Sequence, residues 1–243
     1  MAVISICMAT YNGEQFIREQ IDSILAQISP DDELVISDDS STDSTCSIIT
    51  SYHDSRIVLL HNDSHNFKWN FYNALRHAKG EYIYLADQDD VWLPCKIQVC
   101  QQALRQYDLV VSDCILTDES LNVIKPSFFS FYHSGPGIIK NCINNTYFGA
   151  CMAMHRNVLE AAMPFPKTIE MGHDIWLGLV AESIGKVKFL KQPLLYYRRH
   201  GLALTNLNQP LLTRSKRSLW TKIKSRFIVL YTIFNWRRQH KQC

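Results

Sequence analysis

Hydrophobic positions along the chain follow two periods. "VISICMA" (3–9), "ELVISDD" (33–39), "RIVLLH" (56–61), "YIYLA" (82–86) and "YDLVVSD" (107–113) contain short apolar runs rich in Val, Ile, Leu and Tyr. Such unalternating runs mark strands buried on both faces. Between them the period lengthens. Ile17, Ile21, Ile24, Leu25 and Ile28 line one helical face, and "STDSTCSIIT" opens a second helix with N-cap residues. "NFYNALRHA" (70–78) predicts a third helix that stops at Gly80, and Pro94 suits the first turn of a fourth, running to Gln106. Alternating strands and helices of this kind predict an α/β domain with a mainly parallel sheet and helices on both faces. Ligands of such sheets bind beyond the carboxyl ends of the strands. Three polar clusters fall there: "ATYNG" after the first strand, Asp38–Asp39 after the second, and Asp87–Gln88–Asp89–Asp90 after the fourth.

Beyond residue 113 the pattern loosens. Residues 114–145 read as a long excursion that turns at "HSGPG", and "NTYFGACMAMHR" (145–156) as a strand entering a short helix. "GHDIWLGLVAESIG" (172–185) predicts a helix with Asp174 near its N-terminus, followed by "KVKFL" and "PLLYYRRH" as two short strands.

Charge divides the chain. The net charge of the 243 residues is only +2, yet Glu182 is the last acidic residue. The segment after it carries 14 Lys and Arg, leaving 11 basic residues against 23 acidic ones before it. Near the C-terminus Trp220, Ile223, Phe227, Leu230, Tyr231, Phe234 and Trp236 approximate a helical apolar stripe among nine cations. Such a stripe suits either an anionic membrane surface, lying in it rather than crossing it, or packing on the domain with its charges solvated. The apolar run 227–234 is far shorter than the roughly 20 residues of a membrane span. The N-terminus lacks the basic region of a signal sequence. No nucleic-acid module is present and the main body is acidic, which argues against a nucleic-acid partner. None of the eight cysteines forms a Cys-x-x-Cys pair, so a reduced, cytosolic setting is expected, with Cys7 and Cys114 as small core residues.

The acidic clusters carry the candidate chemistry. Both carboxylates of an Asp-x-Asp turn can reach one hard dication, Mn²⁺ or Mg²⁺, which takes oxygen ligands from carboxylates and from substrate phosphates. A carboxylate at Asp38–Asp39 can accept the N3–H of a uracil or thymine ring, with Thr10 and Tyr11 flanking the base and Tyr11 stacking on it. Read singly, each has a plainer meaning. Asp-x-Asp alone is a solvated loop, Ser40 and Ser41 are helix-entry residues, and Asp174 is a first-turn acid favoured by the helix dipole. Trp176 reads as packing or acceptor stacking, and Gly149 as a strand kink or a point of close acceptor approach.

Together, "ISICMATYNGEQFI", "ELVISDDSSTDST", "YIYLADQDDVWLPCKI", "GHDIWL" and "YYRRHG" resemble, in order and spacing, a bacterial family 2 glycosyltransferase. The nearest likeness is to lipopolysaccharide and O-antigen hexosyl- or rhamnosyltransferases. The resemblance covers residues 2–201 and implies an A-type nucleotide-diphospho-sugar transferase domain over 1–205. Within it, 1–113 would bind the nucleotide sugar and 114–205 the acceptor, with 206–243 a basic amphipathic helical tail. It implies Asp39 at the pyrimidine, Thr10 and Tyr11 at the start of the nucleotide pocket, and Asp87 near the ribose. Asp89 would be the metal ligand, His200 a metal or diphosphate contact, Arg199 a neutraliser of phosphate charge, and Asp174 the catalytic base. His173 stands where the family often has Glu. The expected cofactor is Mn²⁺ or Mg²⁺ and the donor a UDP- or dTDP-sugar. The expected acceptor is a saccharide on polyprenyl diphosphate at the inner face of the cytoplasmic membrane. Two rivals differ in class. One is a haloacid-dehalogenase-type phosphatase with Asp87 as nucleophile, although that motif normally ends the first strand of its domain and not the fourth. The other is a non-catalytic peripheral membrane protein with a degenerate nucleotide site.

Overall fold

The computed structural model describes residues 4–201 and 218–240. Arg214, Lys216, Arg217 and Lys241 of the basic tail lie outside the described residues. The predicted strands appear as β1 (Ile4–Thr10), β2 (Glu33–Asp38), β3 (Ile57–His61), β4 (Tyr82–Asp87) and β6 (Leu109–Thr117), with a two-residue strand, β5 (Val91–Trp92), before the last. The first helices are α1 (Ile17–Leu25), α2 (Thr45–Thr50), α3 (Phe67–His77) and α4 (Lys96–Leu104). Every residue of β2, and all of β1 but Ala9, is buried, as the unalternating runs require.

The excursion after β6 contains β7 (Val123–Lys125), α5 (Phe128–Tyr132) and α6 (Ile138–Ile143). Then come a 3₁₀ turn (Gly149–Cys151), β8 (Met152–His155), α7 (Arg156–Ala162), α8 (His173–Ile184), β9 (Val187–Arg198) and α9 (Leu219–His240). The sheet runs β3-β2-β1-β4-β8-β6-β9-β5, with β7 on β6. It is parallel from β3 through β4 and again between β6 and β9, while β8, β5 and β7 pair antiparallel, so the sheet is mixed. Stepping outward from β1 to β3 and back to β4 by right-handed crossovers puts α1 and α2 on one face and α3 on the other. There α3 packs on β1 and β2. The core includes Cys7 and Cys114, both fully buried, and the seven described cysteines are unpaired.

The two short strands expected after α8 are one strand. Between Ser112↔Leu190 and Asp113↔Pro193 the register slips, and Lys191 and Gln192 are left outside the ladder. Pro193 has no N–H to give a ladder, which is why the slip falls there. Past the bulge β9 is redirected to pair antiparallel with Val91 and Trp92, immediately after the acidic cluster.

Candidate active site

Strand register builds the site. Thr10 lies opposite Asp38, and Ala9 opposite Asp87, so the ends of β1, β2 and β4 are level. The loops beyond them are tied together: Asn12 N–H donates to Ser41 Oγ, Thr42 N–H to Asn12 Oδ1, and Gly13 N–H to Thr45 Oγ1. Gln88, between the two acids, clasps the Tyr11 peptide from both sides. It accepts from Tyr11 N–H at 2.9 Å and donates to Tyr11 O at 3.0 Å. The Tyr11 ring is left 54% exposed, open for stacking.

The two acids at the end of β2 do different work. Asp38 accepts from Thr10 Oγ1 (2.9 Å), Ser41 Oγ (2.6 Å) and Ser41 N–H (2.9 Å) and so braces the rim. Ser41 therefore orients Asp38 instead of opening the helix, which starts at Thr45 behind Ser44. Asp39 is held by Asn66 N–H (2.8 Å) and Ser64 Oγ (3.2 Å). Asp38, Cys46 and His61 also bring ligand-type atoms within 4.8 Å of one another. Both Asp38 oxygens already accept hydrogen bonds there, and burial followed by Asp38 pushes the Cys46 thiol up to about 11.

The three acids after β4 separate in the structure. Asp90 is fully buried. Burial first, then the charges of Asp89 and Asp87, hold its carboxyl well above the ordinary range, and it accepts from Arg198 N–H at 3.1 Å. It is a core group beneath the rim. Asp87 is half-buried and raised to about 7, first by burial, then by Asp89 and Asp174, with Lys96 opposing. Asp89 meets His200 Nε2 at 2.8 Å. His200 is buried against Phe16, with ring centroids 4.5 Å apart, and its Nδ1 has no partner among the described residues. A carboxylate paired with an imidazole, beside an acid whose proton affinity is raised by burial and then by its neighbours' charge, is a donor set that fits Mn²⁺ or Mg²⁺ completed by phosphate oxygens.

Arg198 fastens this segment. Its Nε donates to Asp89 O (2.9 Å), its Nη1 to Glu119 O (2.7 Å), its Nη2 pairs with Glu19, and its guanidinium lies 4.6 Å from the Phe16 ring centroid. Arg199 is buried one residue on, its N–H donating to Thr117 O.

Near Asp87, whose proton affinity its charge helps to raise, Asp174 stands in the first turn of α8, where the helix dipole favours a carboxylate. Asn145 Nδ2 donates to Asp174 Oδ2 at 3.0 Å, while Asn145 is itself fixed by the Tyr147 peptide. Trp176 is packing, not a stacking platform: it is buried and its Nε1–H donates to Ala162 O. Gly149 opens the 3₁₀ turn and makes room for His173, since a Cβ there would come within 2.7 Å of His173 Nε2.

Gln88, Lys96, Arg198 and Asn145 escaped the sequence reading. Lys96 carried a signal, because it occupies the apolar face of α4 with Ile97, Cys100 and Leu104. It is buried, donates to Ala150 O at 2.7 Å and lies 4.2 Å from the Trp92 ring centroid. Asn145 carried none, since its partner is 29 residues away.

His173 gives a stability prediction. Its ring stacks on Phe71 at 4.0 Å, and burial pulls its pKa from 6.5 down to about 4, against the opposing pull of Asp174 and with a smaller push from Lys68. The unfolded chain therefore binds this proton more readily between those values. The stabilisation is complete above about pH 6.5 and is lost as pH falls toward about 4. Wild type should lose about 2 kcal/mol more than His173→Gln between about pH 7 and pH 5 in urea denaturation. Equal losses would show that His173 is not held neutral.

Comparison with known proteins places this geometry. Residues 5–162 match the family described as Glycosyl transferase family 2. The chain is 29% identical over 241 residues to UDP-Glc:alpha-D-GlcNAc-diphosphoundecaprenol beta-1,3-glucosyltransferase WfaP of Escherichia coli, covering 95% of this chain and 92% of that one. Among solved structures it resembles S. aureus TarS 1-349 in complex with UDP-GlcNAc, with a TM-score of 0.66, 19% identity, and coverage of 82% of this chain and 59% of that one. It also resembles the mannosyltransferase PcManGT from Pyrobaculum calidifontis in complex with GDP-Man and Mn2+, with a TM-score of 0.60, 20% identity, and coverage of 80% and 56%. The chain spans less than two thirds of each of these two solved chains, and the likeness carries the A-type fold. The phosphatase and the non-catalytic alternative are both disfavoured by these matches. With acids gathered at the rim of such a sheet and nearly two thirds of its length matching one family, the chain belongs to glycosyl transferase family 2 and is a glycosyltransferase.

Proposed function

We propose that the chain transfers a hexose or deoxyhexose, with inversion, from a UDP- or dTDP-sugar to a saccharide on polyprenyl diphosphate. The reaction would serve bacterial surface-polysaccharide synthesis at the inner face of the cytoplasmic membrane, with the basic tail on anionic lipid. The observation that carries this reading is the gathering of Asp87, Asp89 and Asp174, close enough that, after burial, the charges of the latter two raise the proton affinity of the first. The name of WfaP supports a nucleotide-glucose donor and a polyprenyl-diphosphate acceptor.

Asp39 would accept from the pyrimidine N3–H, Thr10 and Tyr11 would flank the base, and Asp87 would meet the ribose. Asp89 and His200 would hold Mn²⁺ or Mg²⁺, with Arg199 near the diphosphate. The metal, when bound, supplies positive charge to the departing diphosphate. Asp174 takes the acceptor hydroxyl proton as that oxygen bonds to the anomeric carbon. The bond from that carbon to the diphosphate oxygen breaks on the opposite side, and its electron pair leaves with the nucleoside diphosphate. A single displacement inverts the anomeric centre.

A screen of nucleotide sugars with Mn²⁺ or Mg²⁺, with and without a lipid-linked acceptor, tests this by nucleoside diphosphate release. Release from one UDP- or dTDP-sugar, dependent on both metal and acceptor, is expected. Release indifferent to chelator, or a phosphorylated Asp87 during phosphate-ester hydrolysis, would overturn the proposal.

A further inference from the structure

Helix α9 is apolar on two sides. One side belongs to the domain. Val229 and Ile233 are 4% and 2% exposed, and Trp236 meets Trp176 of α8 edge-on at 6.0 Å. Ser225 donates to Glu170, and Arg226 Nε donates to Ile143 O at 2.7 Å. The other side has no cover among the described residues: Trp220 and Phe227 are 80% and 71% exposed, and Ile223, Leu230, Tyr231 and Phe234 are exposed with them. At 3.6 residues per turn those six side chains fall within roughly 100° of arc, away from Val229 and Ile233. The expected single stripe is thus divided, with Trp236 on the domain side and its other members outward. None of the described helices is long and apolar enough to cross a membrane.

We infer that this outer face of α9, extended by Ile139 and Ile143 of α6 and by Ile169, is the surface on which the protein lies in an anionic bilayer, and that it sets Asp174 at the lipid headgroups. The inference rests on the lipid-linked acceptor proposed above and names the surface that would meet it. Charge selects the occupant. The helix carries Lys222, Lys224, Arg226, Arg237 and Arg238 and no acid. At 3.6 residues per turn Arg238 falls within the outer arc and Lys224 and Arg237 at its edges, so a second copy brought face to face would set these cations against their own kind. An anionic bilayer takes up the apolar side chains and the cations together. Exposed apolar surface of this extent on one helix marks an interaction site and not scattered surface hydrophobes.

Two short paths join this surface to the proposed base. Ile143, whose carbonyl Arg226 holds, is two residues from Asn145, the partner of Asp174. Trp236 packs on Trp176, two residues past Asp174 in the same helix. Ile169, 86% exposed, is next to Glu170, which Ser225 holds. A diphosphate head group at the membrane surface would reach the cleft without leaving the bilayer.

Vesicle co-sedimentation of the full chain tests the surface without any donor. Wild type should bind phosphatidylglycerol-containing vesicles and not phosphatidylcholine alone, and Phe227→Ser/Phe234→Ser should bind at least tenfold more weakly. Both side chains are exposed, so the fold should persist, which circular dichroism checks. Transfer to a vesicle-embedded polyprenyl-diphosphate acceptor should fall in parallel, with transfer to a short-chain soluble acceptor unchanged. Equal vesicle binding by the double variant would overturn the inference. So would a wild-type dimer that the double variant dissolves, with no binding to vesicles. Failure of every donor in the screen, with vesicle binding intact, would overturn the transfer reading and leave the surface standing.

Discussion

Asp174→Asn is expected to keep donor binding and lose transfer by about 10²- to 10⁴-fold, the usual contribution of a positioned general base. The substitution is isosteric, and the amide oxygen can still accept from Asn145 Nδ2, which holds the carboxylate at 3.0 Å. The first turn of α8 loses a favourable charge, a cost of about 0.3–1 kcal/mol that leaves the fold intact. The defect therefore belongs to the proton acceptor and should appear in single-turnover transfer, with the donor dissociation constant unchanged. Normal transfer by the variant would move the base elsewhere. Asn145→Ala should share the defect in milder form, because it frees the carboxylate without removing it.

The second large effect is expected at Asp89. Asp89→Ala removes the proposed metal ligand and the partner of His200, and Mn²⁺ affinity should fall by more than about 100-fold, the upper end of losses seen for supporting residues alone. Electron paramagnetic resonance of free Mn²⁺ in the presence of nucleoside diphosphate reads this directly, without turnover. Donor binding should become indifferent to metal. His200→Ala should give a smaller loss, since the carboxylate remains. Mn²⁺ titrations of Asp89→Ala that overlay those of wild type would remove Asp89 from the metal site.

The first half of the fold was legible because its signals are local. Five apolar runs became five strands, and each expected rim cluster ends its strand: Thr10 at β1, Asp38 at β2, Asp87 at β4. The separation of three adjacent acids was not legible. Asp90 turns inward because β9 returns past a bulge and offers it the Arg198 N–H, a contact spanning 108 residues. For the same reason it is Arg198 that fastens the acidic segment: one peptide step along a strand reverses which way a side chain faces. The tail's two faces were hidden because a 3.6-residue period shows that a helix is apolar without showing what covers each side.

Because the rim depends on strand ends that lie within one residue of level, it sets where the chain can change length. One amino acid inserted within β1 would displace Tyr11 by roughly 3.3 Å from Gln88 and turn the following side chains to the opposite face. The same holds for β2 and β4. Insertions and deletions that preserve function should therefore collect around the exposed strand β7 (Val123–Lys125), past Glu119, whose carbonyl holds Arg198, where a longer loop costs little.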